Sequence, residues 1–459
     1  METRVRFAPS PTGFLHVGNI RVAIINFLYA QKTATKTAIE NGSKFFLRLD
    51  DTDSQRVKDE YREMIFQDMN WLGLKFDESF KQSDRLARYE QAKNQLIASG
   101  RLYECFETAE ELNLQRKAQN ASGIAPVYNR ASLNLSVEQK NALRSKGLRP
   151  HYRFLLEDKL VSWNDKIKGK IAYEGRHFSD PVLIRELDEN GFGVPTYTFC
   201  SVVDDIDYKI TDIIRGEDHI TNTAIQIQIF EALGAKAPDF AHLSLVKASE
   251  GKISKRDGGF DVKTLRNQGY EPISIINLLA QIGTCESIKI HENLDKLIED
   301  FSFEKFSKSA TNYSLSELIE INHKVLQSLS YDYVLSKINE NKINYKISEK
   351  LWEACKSNLS FFHEIEEWVK IFGVGFCYKN SAQDLDFLNQ IIEVLPLDTS
   401  GPDAWQNWLN DIKKISTRKG KDLFMPIRLA LTGKEQGPEL KFIINLLDRA
   451  EIISRLKAS

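Results

Sequence analysis

The apolar and polar positions of this 459-residue chain first spell a strand, a broken loop and a helix. Val5 to Ala8 is a short β-prone run, and Ile20 to Ala30 is an apolar run of helical character. Pro9, Pro11 and Gly13 interrupt regular structure between them, so residues 6–19 read as strand, rigid loop and helix N-terminus. Lys44-Phe45-Phe46-Leu47-Arg48-Leu49 reads as a buried strand that completes a βαβ unit over residues 1–50, with the acids of Asp50-Asp51-Thr52-Asp53 at its C-terminal end. Residues 54–100 are helical by periodicity. Met64, Met69, Trp71 and Leu72 fall at core spacings there, Tyr89, Ala92, Leu96 and Ile97 repeat the pattern, and Gly73 and Gly100 mark helix ends.

The pattern changes over residues 101–190. Glu107 to Gln119 is a charged helix, Arg144 to Arg149 is basic, and a β-rich part runs from Tyr152-Arg153-Phe154 through Ser162-Trp163 to Lys166–Tyr173. Val194 to Asp205 then predicts a helix closing on two acids, and Tyr208 to Ile214 a strand ending in Arg215-Gly216-Glu217-Asp218-His219. Ile273 to Ile282 belongs in a core. Residues 321–459 read as all-helical around Trp352, Trp368, Trp405 and Trp408, with too few alternating segments for β-barrels.

Composition narrows the class more than the activity. A chain of this length predicts two to four domains, and 42% hydrophobic with 27% charged residues is the balance of a soluble globular protein. The formal charge of −2 means that any nucleic-acid surface is a local patch on a near-neutral molecule. Five scattered cysteines without CxxC spacing predict reduced thiols in a cytoplasmic setting, and neither a signal peptide nor a membrane span is evident.

Chemistry concentrates at three places. The N-terminus of the first helix is an anion site, because its first N–H groups lack intrahelical partners and its dipole favours negative charge. His16 and Gly18 sit where a triphosphate would meet it, the imidazole as a donor and the glycine allowing close approach to backbone. Taken alone, His16-Val17-Gly18-Asn19 reads first as a structural histidine at a loop–helix junction, and Asp53-Ser54 fits a helix cap. The basic loop Lys252-Ile253-Ser254-Lys255-Arg256, followed by Asp257-Gly258-Gly259, offers a lysine to neutralise phosphate charge developing in a nucleotidyl transfer. Arg215, at a strand C-terminus, carries five donors that need partners.

Together, Arg6-Phe7-Ala8-Pro9-Ser10-Pro11-Thr12-Gly13, His16-Val17-Gly18-Asn19 and Lys252–Arg256 resemble the two signatures of class I aminoacyl-tRNA synthetases, and the first string narrows the resemblance to the glutamyl/glutaminyl group. The tail Gly420 to Gly433, with Gly437-Pro438, is similar to the helical anticodon-binding domain of bacterial glutamyl enzymes, so the resemblance covers essentially the whole chain. It implies an α/β, Rossmann-like catalytic domain over 1–100 and 191–250, split by an inserted acceptor-binding domain over 101–190. A lysine loop and stem-contact domain would occupy 251–320, and the all-α anticodon-binding domain 321–459. The implied reaction joins L-glutamate to tRNA-Glu with ATP and Mg2+, by a cytoplasmic monomer; whether tRNA-Gln is also charged stays open.

The resemblance assigns His16 and Lys255 to catalysis, and Ser10, His16, Gly18, Asn19, Glu217, Lys252 and Lys255 to ATP. It assigns Arg6, Ala8, Ser10, Asp50, Tyr197, Ser201 and Arg215 to glutamate, with Arg6, Tyr197 and Arg215 on the side-chain carboxylate. Two guanidiniums and a phenol suit a carboxylate better than an amide. Asp50 stands where the family usually has a Glu that holds the substrate ammonium, one methylene shorter. Some relatives carry zinc in the insertion through Cys-x-Cys and a later Cys-x-His. Here Cys105-Phe106-Glu107 and Tyr128-Asn129-Arg130-Ala131-Ser132 supply one thiolate, so no zinc is expected. The rival readings are a glutaminyl enzyme, disfavoured by the helical C-terminal region, a shorter paralogue that glutamylates a queuosine base, and a non-catalytic RNA-binding relative.

Overall fold

Strand β1 (Thr3–Phe7), helix α1 (Val17–Thr37) and strand β2 (Ser43–Leu49) form the expected βαβ unit in the computed structural model, with β1 and β2 parallel and Val5 opposite Phe45. The structure describes residues 2–37, 43–53, 55–123, 126–248, 261–340, 343–373 and 375–458. The basic loop with Lys252 and Lys255 lies outside the described residues. Phe45, Phe46 and Leu47 are fully buried, as a strand covered on both faces requires, and so is Arg48 between apolar neighbours.

The stretch expected to be helical throughout holds α2 (Asp59–Trp71), strand β3 (Glu78–Lys81) and α3 (Leu86–Ala98). The strand went unseen because it is a short edge: Glu78-Ser79-Phe80-Lys81 is largely exposed and shows no apolar alternation, yet it pairs parallel with β2. Gly73 and Gly100, at φ of 70° and 72°, follow the two helix ends as glycine permits. Helix α2 is preceded by Lys58 without a side-chain cap, so the acids of residues 50–53 do not open it.

Strand β4 (Leu102–Cys105) begins the inserted region. It continues through α4 (Ala109–Ala121) and α5 (Val137–Ser145), each opened by a capping box, Thr108 with Glu111 and Ser136 with Gln139. Strands β5 (His151–Phe154), β6 (Leu160–Asp165), β7 (Gly169–Glu174) and β8 (Val182–Ile184) follow. They form an antiparallel sheet in the order β4-β5-β8 and a β6–β7 hairpin.

The chain then returns to the parallel strands through α6 (Tyr197–Asp207), β9 (Asp212–Gly216), α7 (Ile220–Ala232) and β10 (Asp239–Leu243). β9 starts later than its apolar residues suggest, because α6 runs to Asp207 and Lys209 takes a left-handed φ of 53°. Its neighbour β10 is parallel to it, and the Thr211 N–H donates to the Arg4 carbonyl at 2.9 Å beside β1. The C-terminal ends of β1, β9 and β10 therefore open on one crevice, the usual ligand position in such sheets. Strand β11 (Val246–Ala248), helices α8 (Val262–Gln268), α9 (Pro272–Gln281) and α10 (Leu294–Asp300), and strand β12 (Thr311–Tyr313) follow.

The chain divides into two compact units, one of residues 1–266 with 276–314, the other of 267–275 with 315–459. The described residues of the second unit contain no strand. Trp352 and Trp408 are fully buried in it, while Trp405 packs at the rim of the cluster around Trp408. Glu271, fully buried, is held by Lys337 and by the Tyr333 hydroxyl at 2.8 Å.

Candidate active site

Arg6, Ala8, His16, Gly18, Asn19, Tyr197 and Arg215, far apart in the sequence, line one cleft of about 270 Å³. Ser10 and Asp50 line a second hollow with Arg56 and Arg185, and Tyr197 belongs to both. The remaining described residues expected at the site stand elsewhere. Ser201 is fully buried, its hydroxyl donating to the Tyr197 carbonyl and accepting from Gln226 Nε2, each at 2.8 Å. Glu217 is engaged by Lys168 and by the Leu245 N–H at 3.0 Å. Burial pushes its carboxyl up, but those two donors outweigh burial and hold it below the usual range.

His16 immediately precedes α1, and its ring caps that helix. Nδ1 accepts the Gly18 N–H at 3.1 Å and the Asn19 N–H at 3.3 Å. A ring nitrogen that accepts carries no proton, so the neutral ring bears its proton on Nε2. Gly18 serves this arrangement directly: a Cβ there would stand 2.9 Å from His16 Cε1. The glycine expected to admit a ligand to the backbone thus also admits the imidazole.

The amino-acid side of the site rests on a buried ionic frame. Arg48 holds Asp50 with two bonds, Nε to Oδ1 at 2.7 Å and Nη2 to Oδ2 at 3.3 Å, and reaches Asp205 with Nη1 at 2.9 Å. Arg6 holds Asp205 from its other side at 3.1 and 3.3 Å. Asp204 accepts from Arg85, Gln82 and the Tyr89 hydroxyl. The two acids closing α6 are therefore anchors for arginines rather than caps. Burial pushes the Asp50 carboxyl up to about 6, Arg48 opposing the rise and Asp204 adding to it. Asp51 is engaged outside this frame. It accepts from Ser83 N–H and Oγ, both at 2.8 Å, and pairs with Arg62.

Arg215 differs from its two neighbours. It is 5% exposed and has no ion pair among the described residues. Its hydrogen-bond acceptors are neutral: Thr223 Oγ1 at 2.7 Å, Tyr197 Oη at 3.4 Å, the His219 carbonyl at 3.5 Å and His242 Nε2 at 3.5 Å. Burial lowers its pKa, with Arg6 adding to the effect and Tyr197 opposing it. A guanidinium so placed has its charge available to an incoming anion. Sequence reasoning missed Arg48 and His242, polar residues between apolar neighbours, and also Thr223 and Asp165, the last set between Asn164 and Lys166 with no local signal.

In the insertion, Cys105 is not isolated. The donor atoms of Cys105, Glu107 and His151 lie within 4.8 Å of one another, and Glu107 Oε2 and His151 Nε2 have no hydrogen-bond partner among the described residues. The set does not fit a closed structural zinc site, which takes four ligands. Ser132 brings a hydroxyl, and Tyr128 and Ser132 both donate to Glu107 Oε1, at 2.6 and 2.8 Å. Burial pushes the Cys105 thiol up to about 11.

The chain is similar to known proteins over nearly its whole length. The family model for the catalytic domain of class I (E and Q) tRNA synthetases matches residues 2–327, and that for an anticodon binding domain matches 320–459. The chain is 47% identical over 452 residues to glutamate–tRNA ligase 2 of Rickettsia canadensis (strain McKiel), covering 98% of each chain. It is 47% identical over 458 residues to glutamate–tRNA ligase 1 of Orientia tsutsugamushi (strain Ikeda), covering 99% of each. The solved glutamate tRNA ligase of Elizabethkingia meningosepticum CCUG26117, in complex with its amino acid, superposes with a TM-score of 0.81 at 28% identity, over 99% of this chain and 98% of that one. The glutamate–tRNA synthetase of Elizabethkingia anophelis gives a TM-score of 0.80 at 29% identity, over 99% of each.

Proposed function

The chain belongs to the class I tRNA synthetases of the glutamyl and glutaminyl group, with a mixed α/β catalytic domain and a helical C-terminal anticodon-binding domain, and on that premise we propose that it is a glutamate–tRNA ligase. A glutamate α-carboxylate oxygen attacks the α-phosphorus of ATP, the bond to the β-phosphate oxygen breaks, and glutamyl adenylate and pyrophosphate form. A terminal ribose hydroxyl of tRNA-Glu then attacks the adenylate carbonyl, and AMP leaves. In-line displacement asks the protein mainly for positioning and charge stabilisation.

The observation that carries the choice of glutamate is Arg215, a buried guanidinium without an ion pair among the described residues, beside the Tyr197 hydroxyl at the end of β9. An amide there would leave that charge buried and unanswered. Arg6 joins it through its place in the cleft, and Asp50 takes the substrate ammonium while Arg48 holds its carboxylate in place. Ala8, Ser10, Gly18 and Asn19 shape the path for ATP and adenylate, with Mg2+ arriving on ATP. His16, its proton on Nε2, donates to phosphate in the transition state, and Lys255 meets the departing pyrophosphate. The inserted region grips the acceptor end, and the protein acts as a cytoplasmic monomer without bound zinc.

The test is ATP–pyrophosphate exchange with purified tRNA. Exchange that requires L-glutamate and tRNA-Glu together supports the reading, and exchange driven by glutamine but not glutamate contradicts it. Including tRNA-Gln as a second acceptor decides the breadth of the substrate set.

A further inference from the structure

Arg215 stays without an ion pair in a buried site because of what stands behind it. His242 on β10 is the cross-strand partner of Arg215 on β9. His242 and Thr223 are fully buried, and Asp165 at the end of β6 is 2% exposed. The contacts form one chain of donors. Arg215 Nη2 donates to Thr223 Oγ1 at 2.7 Å. Thr223 Oγ1 lies 3.0 Å from His242 Nε2, and His242 Nδ1 lies 2.5 Å from Asp165 Oδ2. Asp165 is fixed in turn by the N–H groups of Ile167 at 3.0 Å, Lys168 at 2.9 Å and His242 at 3.2 Å, all on Oδ1.

These partners give the relay its direction. A carboxylate that already accepts three backbone N–H groups takes a fourth donor on its free oxygen, so His242 carries its proton on Nδ1 and donates it to Asp165. Nε2 then accepts, taking Arg215 Nε at 3.5 Å and the Thr223 hydroxyl proton at 3.0 Å, a shorter contact than the 3.2 Å from that hydroxyl to the His219 carbonyl. That leaves a lone pair of Thr223 Oγ1 facing Arg215, which donates. Burial holds His242 neutral, opposed by the Asp165 bond and reinforced by Arg215. The nearest carboxylate along the chain thus orients the guanidinium through two neutral side chains without neutralising it. Flat packing of Phe240 on the His242 ring, centroids 6.1 Å apart, fixes the ring plane.

We propose that Asp165, His242 and Thr223 form a positioning relay for Arg215, which holds the guanidinium aimed and unneutralised so that it selects the side-chain carboxylate of glutamate. The inference rests on the assignment of Arg215 to that carboxylate. None of the three relay residues touches substrate; each acts through Arg215.

The experiment measures KM for glutamate and for ATP separately, in tRNA-dependent ATP–pyrophosphate exchange by the full chain, with a thermal melt on each variant. Thr223→Val removes the hydroxyl and keeps the shape, and Asp165→Asn keeps the acceptor for the backbone but reverses the ring proton. Each should raise the glutamate KM by roughly tenfold or more while the ATP KM stays within about twofold. Thr223→Ser, which restores the hydroxyl, should restore the glutamate KM. An unchanged glutamate KM in both folded variants, an equal rise in both KM values, or failure of serine to restore would overturn the relay. Arg215→Ala separates the two levels. If it raises the glutamate KM while the relay variants do not, the relay alone is wrong. If it leaves that KM unchanged, the carboxylate assignment falls and the relay with it.

Discussion

Among single residues, Asp50 makes the sharpest case. Its side chain is about 1.5 Å shorter than the glutamate usual at this place, the length of one carbon–carbon bond. Arg48 compensates by fixing the carboxylate with two bonds, so the charge has one position to offer an ammonium. Asp50→Ala should raise the glutamate requirement roughly ten- to a hundredfold, the loss of one charge-assisted hydrogen bond worth about 1.5–3 kcal/mol. Arg48 keeps Asp205 as a partner, so the fold should persist. Asp51→Ala should instead lower the melting temperature, since it frees Ser83 and Arg62, and leave the glutamate requirement near normal. Kinetics and melting measured on both variants separate the roles. The acid range gives an independent check. With a pKa of about 6, Asp50 is ionised above that pH and protonated below it. The kcat/KM for glutamate should therefore fall below about pH 6, and Asp50→Asn should lower kcat/KM while flattening this acid limb. A limb retained in that variant would assign it to another group.

At the scale of elements, the sequence is legible where apolar runs are long and obscure where pairing between distant strands decides. β1, α1 and β2 stand out because Val5 and Phe45 to Leu47 are buried in continuous runs. β3 does not, because an exposed edge strand needs only its partner's hydrogen bonds. β9 begins late because a single residue, Lys209, turns the chain first. The site divides the same way. Arg6, Tyr197 and Arg215 are marked by their place at element ends. The side chains behind them are not, since Arg48 meets Asp205 across 157 residues and His242 meets Asp165 across 77. Arg48 and His242, each between apolar neighbours, announce that partners exist without saying which. The insertion shows the same limit: Cys105 looks solitary in sequence, yet Glu107 and His151 converge on it. With three donors and two hydroxyls already on Glu107, metal analysis of the purified protein should find well under one zinc per chain. One zinc per chain that survives dialysis would show that the cluster is a metal centre.

At the scale of the whole molecule, two cores divide the labour. The C-terminal unit has its own packed interior around Trp408, Ile412, Ile427 and Ile443. Removing residues 321–459 should leave adenylate chemistry's fold in place and abolish efficient charging of tRNA. That cut strips Lys337 and Tyr333 from Glu271, whose segment 267–275 belongs to the removed unit, so it belongs together with Glu271→Gln. Full charging efficiency in the folded truncation would refute the anticodon assignment. Whether a buried guanidinium without an ion pair makes this enzyme choose glutamate is decided by charging purified tRNA-Glu in parallel with radiolabelled glutamate and radiolabelled glutamine. The expected outcome is ATP-dependent acid-precipitable label from glutamate and none above background from glutamine. Label from glutamine, or none from either, would overturn that role for Arg215.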